Sequence, residues 1–79
     1  MTQSTQATLL GVFRQSLGLA EGITPEQIRR DDLPSWDSVG HMVLVSDIES
    51  AFGMELGFED VLALDTFDQA LAIVSRLQA

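Results

Sequence analysis

The chain has seventy-nine residues, of which 46% are apolar, with twelve acids, four arginines and no cysteine, for a net charge of −8. That length holds one small domain over 1–79, too small to wall in a substrate on every side. Without cysteine there is neither a disulfide nor a thiolate metal site, and a single histidine does not make a zinc set, so no metal site is expected.

The segment Met1–Ala7 is polar and uncharged, and no apolar run approaches the roughly 18 residues of a spanning helix. The expectation is therefore a cytoplasmic chain that does not enter a membrane. Charge is unevenly distributed: Arg14, Arg29 and Arg30 precede Asp31, whereas Asp31–Asp68 contains ten acids and no lysine or arginine. Such a stretch repels nucleic acid and anionic lipid and attracts basic protein surfaces. The plainer alternative is a solvated acidic face.

In chain order, the first five or so residues are expected to be disordered. A helix then starts near Ser4 or Thr5, carries Leu9, Leu10, Phe13 and Leu17 at helical spacing, and ends on Gly18-Leu19. Thr24-Pro25-Glu26-Gln27 has a capping threonine, proline at the first helical position and glutamine three residues after the cap, which predicts one short turn anchored by Ile23 and Ile28. Pro34 cannot sit inside a helix and Asp37 is a good N-cap, so the second long helix begins at Asp37 or Ser38 and runs to Gly53. Phe58–Leu62 forms a short helix with Glu59 and Asp60 in its first turn, where negative charge suits the helix dipole. Thr66 caps the last helix, with Gln69 completing a capping box and Arg76 near its C-terminus. Its inward stripe is Phe67, Ala70, Leu71, Val74 and Leu77.

The predicted fold is all-α, a small bundle of three main helices plus one short helix, without strands. Its core is expected to comprise Leu10, Phe13, Leu17, Val45, Ile48, Phe52, Leu56, Leu64, Phe67, Leu71 and Val74.

The second helix has two apolar faces. Leu44, Val45, Ile48 and Phe52 form an ordinary inward stripe. On the opposite side lie Val39, Met42 and Val43, followed by Ser46, with Asp47 and Glu49 at the two edges. Either the preceding loop or the short helix folds over this strip, or it is a docking surface with an apolar centre and an acidic rim.

Ser38, at the start of the same helix where its hydroxyl is expected to face solvent, admits three readings: a second capping residue, a catalytic nucleophile, or an attachment point for a modifying group. His41 is one turn away and Asp37 and Asp47 are near, but His41 falls with the core stripe, and there is no glycine-rich elbow and no evident oxyanion hole. His41 reads instead as a histidine at the core edge, bonded to a backbone carbonyl of the preceding loop. Asp31, Asp32 and Asp37 lack the alternation and central glycine of a calcium loop. A phosphodiester on Ser38 would sit beside the free amides of a helix N-terminus, where negative charge is favoured; Asp37 opposes it modestly as a like charge and so calls for another role.

Asp37-Ser38-Val39 resembles the Asp-Ser-Leu attachment motif of acyl carrier proteins. The resemblance extends over nearly the whole chain: Leu17-Gly18, Thr24-Pro25-Glu26 with Ile28, Leu33, Ile48-Glu49 leading to Phe52, Glu55-Leu56, and Asp65-Thr66-Phe67. It implies a monomeric, non-catalytic carrier. A phosphopantetheinyl transferase, using coenzyme A and magnesium, would attach 4′-phosphopantetheine to Ser38, and the thiol of that arm would hold acyl groups as thioesters. By the same resemblance Asp37 would serve recognition by the transferase. Val39, Met42 and Val43 would dock acyl-loading and acyl-processing enzymes, and Asp47, Glu49, Glu59 and Asp60 would meet their basic residues.

Two departures bear on cargo. Trp36 stands where fatty-acid-synthesis carriers often have a small residue, and the second helix has only Asp47 and Glu49 as acids. The Trp-Asp-Ser pattern with Gly40-His41 is more similar to discrete carriers of specialised pathways such as polyketide biosynthesis. Trp36 either covers the helix junction or touches cargo or partner. An aminoacyl or peptidyl carrier is one alternative, and an unmodified acidic helical module that binds a basic or amphipathic partner is another.

Overall fold

The computed structural model describes residues 2–78, with side chains from Thr5 to Gln78. Helix α1 spans Thr2–Leu17, α2 Ser38–Phe52, α3 Phe58–Ala63 and α4 Phe67–Gln78, with 3₁₀ turns at Pro25–Gln27 and Arg30–Asp32 between α1 and α2. The expected architecture of three main helices and one short helix is present, and the described residues contain no strand beyond a single antiparallel bridge, Arg29 to Thr66. No helix is long and apolar enough to cross a membrane.

Local chemistry sets the boundaries. α1 begins at Thr2, earlier than the Ser4 or Thr5 start expected; Met1 lies outside the described residues. Near this end the Thr5 hydroxyl donates to Oε1 of Gln78, joining the first and last helices. Both α1 and α2 end on a left-handed glycine, Gly18 at φ 63° and Gly53 at φ 60°. In each case the next amide reaches back five residues, Leu19 to the Arg14 carbonyl at 3.0 Å and Met54 to that of Glu49 at 3.1 Å, which closes the helix. Asp37 caps α2 by accepting from the Gly40 amide at 2.8 Å.

The cap of α4 differs from the expected box by one residue. The Gln69 amide donates to the Thr66 hydroxyl at 3.1 Å, but the Gln69 side chain accepts from the amide of Asp65 at 2.9 Å rather than from Thr66. The bridge explains the shift. Arg30 donates to the Asp65 carbonyl at 2.8 Å and Phe67 donates to the Ile28 carbonyl at 3.1 Å, so the chain enters α4 extended against the long loop.

Phe13 is the centre of the core, edge-on to both Trp36 and Phe67 with ring centroids 5.4 Å away in each case. Leu9, Leu17, Ile28, Leu44, Ile48, Leu64 and Val74 close around it. Four residues expected inside, Leu10, Phe52, Leu56 and Leu71, are half-buried and pack on its edge. On α4, Ala70, Ile73 and Val74 are buried whereas Leu77 is exposed, so the inward stripe is centred on Ile73 and Val74 and does not reach the helix end.

Candidate functional site

Ser38 is the first residue of α2, immediately after the Asp37 cap, and it is exposed. The backbone leading into it is held tightly. The Trp36 amide donates to the Leu33 carbonyl at 3.0 Å and the His41 amide to the Asp37 carbonyl at 2.8 Å. Gly40 is required by close approach: a Cβ there would lie 2.1 Å from the Ser35 carbonyl oxygen. The capping carboxylate of Asp37 and the hydroxyl of Ser38 therefore occupy distinct roles, the first structural and the second presented to solvent.

Trp36 and His41 lie beneath this corner. Trp36 is buried, which agrees with the reading in which it covers the helix junction and leaves its side chain off the surface that a partner would meet. Its indole N–H donates to Nδ1 of His41 at 2.9 Å, and the two rings stack with planes 18° apart. Because Nδ1 accepts, Nε2 carries the proton of the neutral ring and donates to the Val61 carbonyl at 2.8 Å. His41 thus bonds a backbone carbonyl as expected, but one from α3 instead of from the preceding loop. With both ring nitrogens engaged, His41 has no lone pair to offer Ser38 as a general base.

The outward strip of α2 is uncovered: Val39 is 73% exposed, Met42 60% and Val43 43%. Neither the preceding loop nor α3 folds over it. Instead α3 stands beside it and adds two exposed apolar side chains, Phe58 and Leu62. Ser38, His41 and Met42 from α2, Phe58, Val61 and Leu62 from α3, and Arg30 from the loop line one open groove of about 350 Å³. The α3 wall and Arg30 were not singled out from sequence. The i, i+3, i+4 spacing of Phe58, Val61 and Leu62, which puts the three on one face of α3, was the available signal.

The acids divide. Asp47 is half-buried and accepts from the Ser16 hydroxyl at 2.5 Å, tying α2 to α1. Glu49 accepts from the Leu56 amide at 2.9 Å and organises the turn after α2. Asp60 pairs with Arg76 of α4. Glu59 is exposed beside the groove-lining Phe58. Of the four acids expected to meet a partner, three are thus engaged within the fold, because each stands opposite a donor that only the folded chain brings near. No cluster of three or more metal-ligating side chains occurs among the described residues.

No family model, curated protein or solved structure matches this chain.

Proposed function

We propose that this chain is an acyl carrier, modified at Ser38 by 4′-phosphopantetheine and docking separate biosynthetic enzymes through the strip of Val39, Met42 and Val43. The observation that carries the reading is the placement of an exposed serine at the first position of α2, continuous with an uncovered apolar strip on the same helix. The residues fit the group: the hydroxyl is open to attack geometry, the adjoining groove is apolar, and the arm's phosphate falls at the N-terminus of a fifteen-residue helix.

Attachment would form a bond from Ser38 Oγ to the phosphorus next to pantetheine and break the pyrophosphate link of coenzyme A. Adenosine 3′,5′-bisphosphate leaves, and the serine proton passes to the transferase. Once bound, the group supplies a thiol that holds acyl chains as thioesters. The chain's own contribution is to present Ser38 on a rigid corner. Asp37 fixes the helix start, and the tryptophan and histidine beneath hold the corner against α3. Specialised-pathway acyl cargo and a cytoplasmic setting are parts of this proposal that rest on the sequence pattern alone, with aminoacyl cargo the alternative to the first.

Incubation with coenzyme A, magnesium and a broad-specificity phosphopantetheinyl transferase, followed by intact mass, tests it. One phosphopantetheinyl addition that disappears in Ser38→Ala is expected. No addition, or one that survives Ser38→Ala, overturns the carrier reading in favour of an unmodified helical module that binds a partner through the same exposed strip.

A further inference from the structure

Arg30 is the one arginine lining the groove that begins at Ser38, and the histidine beside it there, His41, has both ring nitrogens engaged. It is half-buried, its backbone is fixed by the bond from its amide to the Asp65 carbonyl at 2.8 Å, and its guanidinium makes no ion pair or hydrogen bond among the described residues. Two of the other arginines are engaged: Arg14 donates to the Glu21 carbonyl and Arg76 pairs with Asp60. Arg29 has no side-chain partner among the described residues either, but it does not line this groove. Arg30 also borders a second cavity with Asp31 and Asp65 but pairs with neither carboxylate, so in a chain of charge −8 its guanidinium is left available to an anion in the groove.

We infer that Arg30 is a positioning residue for the phosphodiester on Ser38: its guanidinium clasps the phosphate and sets the arm off along the α3 side of the groove. The inference rests on the proposed carrier reading. Its physical basis is charge balance at one corner. Asp37 places a carboxylate beside the serine to cap α2, and a phosphodiester there meets like charge. The α2 dipole offsets this partly, and a guanidinium, which forms forked hydrogen bonds to phosphate oxygens, offsets the remainder. Arg30 comes from the loop and shares the groove with Phe58 and Leu62 of α3, whereas Val43 does not line it, so an arm held by Arg30 would run into the groove that α3 borders.

The test compares the unmodified and phosphopantetheinylated wild-type proteins by nuclear magnetic resonance of the four arginine Nε–H groups, with intact mass establishing complete modification. Arg30 is expected to shift on modification while Arg14, Arg29 and Arg76 do not, and the shift should shrink in about 1 M salt, where the Debye length falls to about 3 Å. In modified Arg30→Gln the ³¹P resonance of the phosphodiester should move, and in modified Arg29→Gln it should stay. Complete modification with Arg30 unmoved, or with Arg29 and Arg30 shifted alike, overturns the clasp and leaves the carrier reading standing. Absence of any adduct overturns both.

Discussion

The indole N–H of Trp36 and Nδ1 of His41 are joined at 2.9 Å, and the opposite nitrogen of the same imidazole holds α3 through the Val61 carbonyl at 2.8 Å. A single buried ring therefore connects the loop before Ser38 with the far wall of the groove.

Trp36→Phe should keep the packing against Phe13 but orphan Nδ1 of His41, lowering stability by about 1–3 kcal/mol, the cost of a buried polar group left unpaired. Urea unfolding followed by circular dichroism reads this as a lower midpoint. A midpoint unchanged from wild type would mean that water replaces the indole.

Gly40→Ala sets two effects against each other. Helix propensity alone favours alanine by about 1 kcal/mol, but a Cβ at 2.1 Å from the Ser35 carbonyl forces the loop to move. Net destabilisation is expected, together with slower modification at Ser38, because the displaced loop leads directly into it. A protein more stable than wild type would show that the loop gives way without cost.

Asp37→Asn and Asp37→Ala separate capping from charge. Asparagine caps about as well as aspartate, so its thermal midpoint should stay near wild type, while alanine should cost about 1 kcal/mol. If the carboxylate also serves recognition by the transferase, Asp37→Asn will be modified more slowly despite its intact fold. Equal rates for wild type and Asp37→Asn would confine the residue to its capping role.

Met42→Glu and Val43→Glu should each change stability by no more than about 0.5 kcal/mol, since both side chains already face solvent. Turnover by an acyl-processing partner should fall. Large unfolding would place the strip in the core, contrary to its exposure.

Ser16→Ala and Asp47→Ala test whether Asp47 belongs to the fold or to a docking rim. The bond from the Ser16 hydroxyl predicts that both lose about 1–2 kcal/mol and that the double substitution loses little more. Full additivity in a denaturation cycle would return Asp47 to the rim.

Helix boundaries were legible because the signals that set them are local. Asp37, Gly18 and Gly53 act on amides within a few residues, and each does what its position in the sequence predicts. Exposure of Ser38 followed from its place at a helix start, and the second apolar face of α2 from the angular positions of its residues, but whether the loop or α3 covers that face depends on tertiary packing. What escaped depends on pairs distant in sequence: the use of Asp47 by Ser16, thirty-one residues apart, and the bond from His41 to Val61, twenty residues apart. The displaced cap at Gln69 belongs with these, since the bridge to Arg29 that shifts it is tertiary. Trp36 showed its burial only once Phe13 and His41 were seen on either side of it.

Helix α3 is six residues long and none of them is fully buried; it is tied to the rest of the chain by the bond from His41 to the Val61 carbonyl and the pair of Asp60 with Arg76, beside the packing of the half-buried Val61 on the core edge. Amides of α3 should accordingly exchange with solvent through local opening, well before those of α2, whose release requires the whole core to come apart. The groove beside Ser38 then has one fixed bank and one that yields, so its width adjusts to what lies in it at a small fraction of the cost of unfolding the protein.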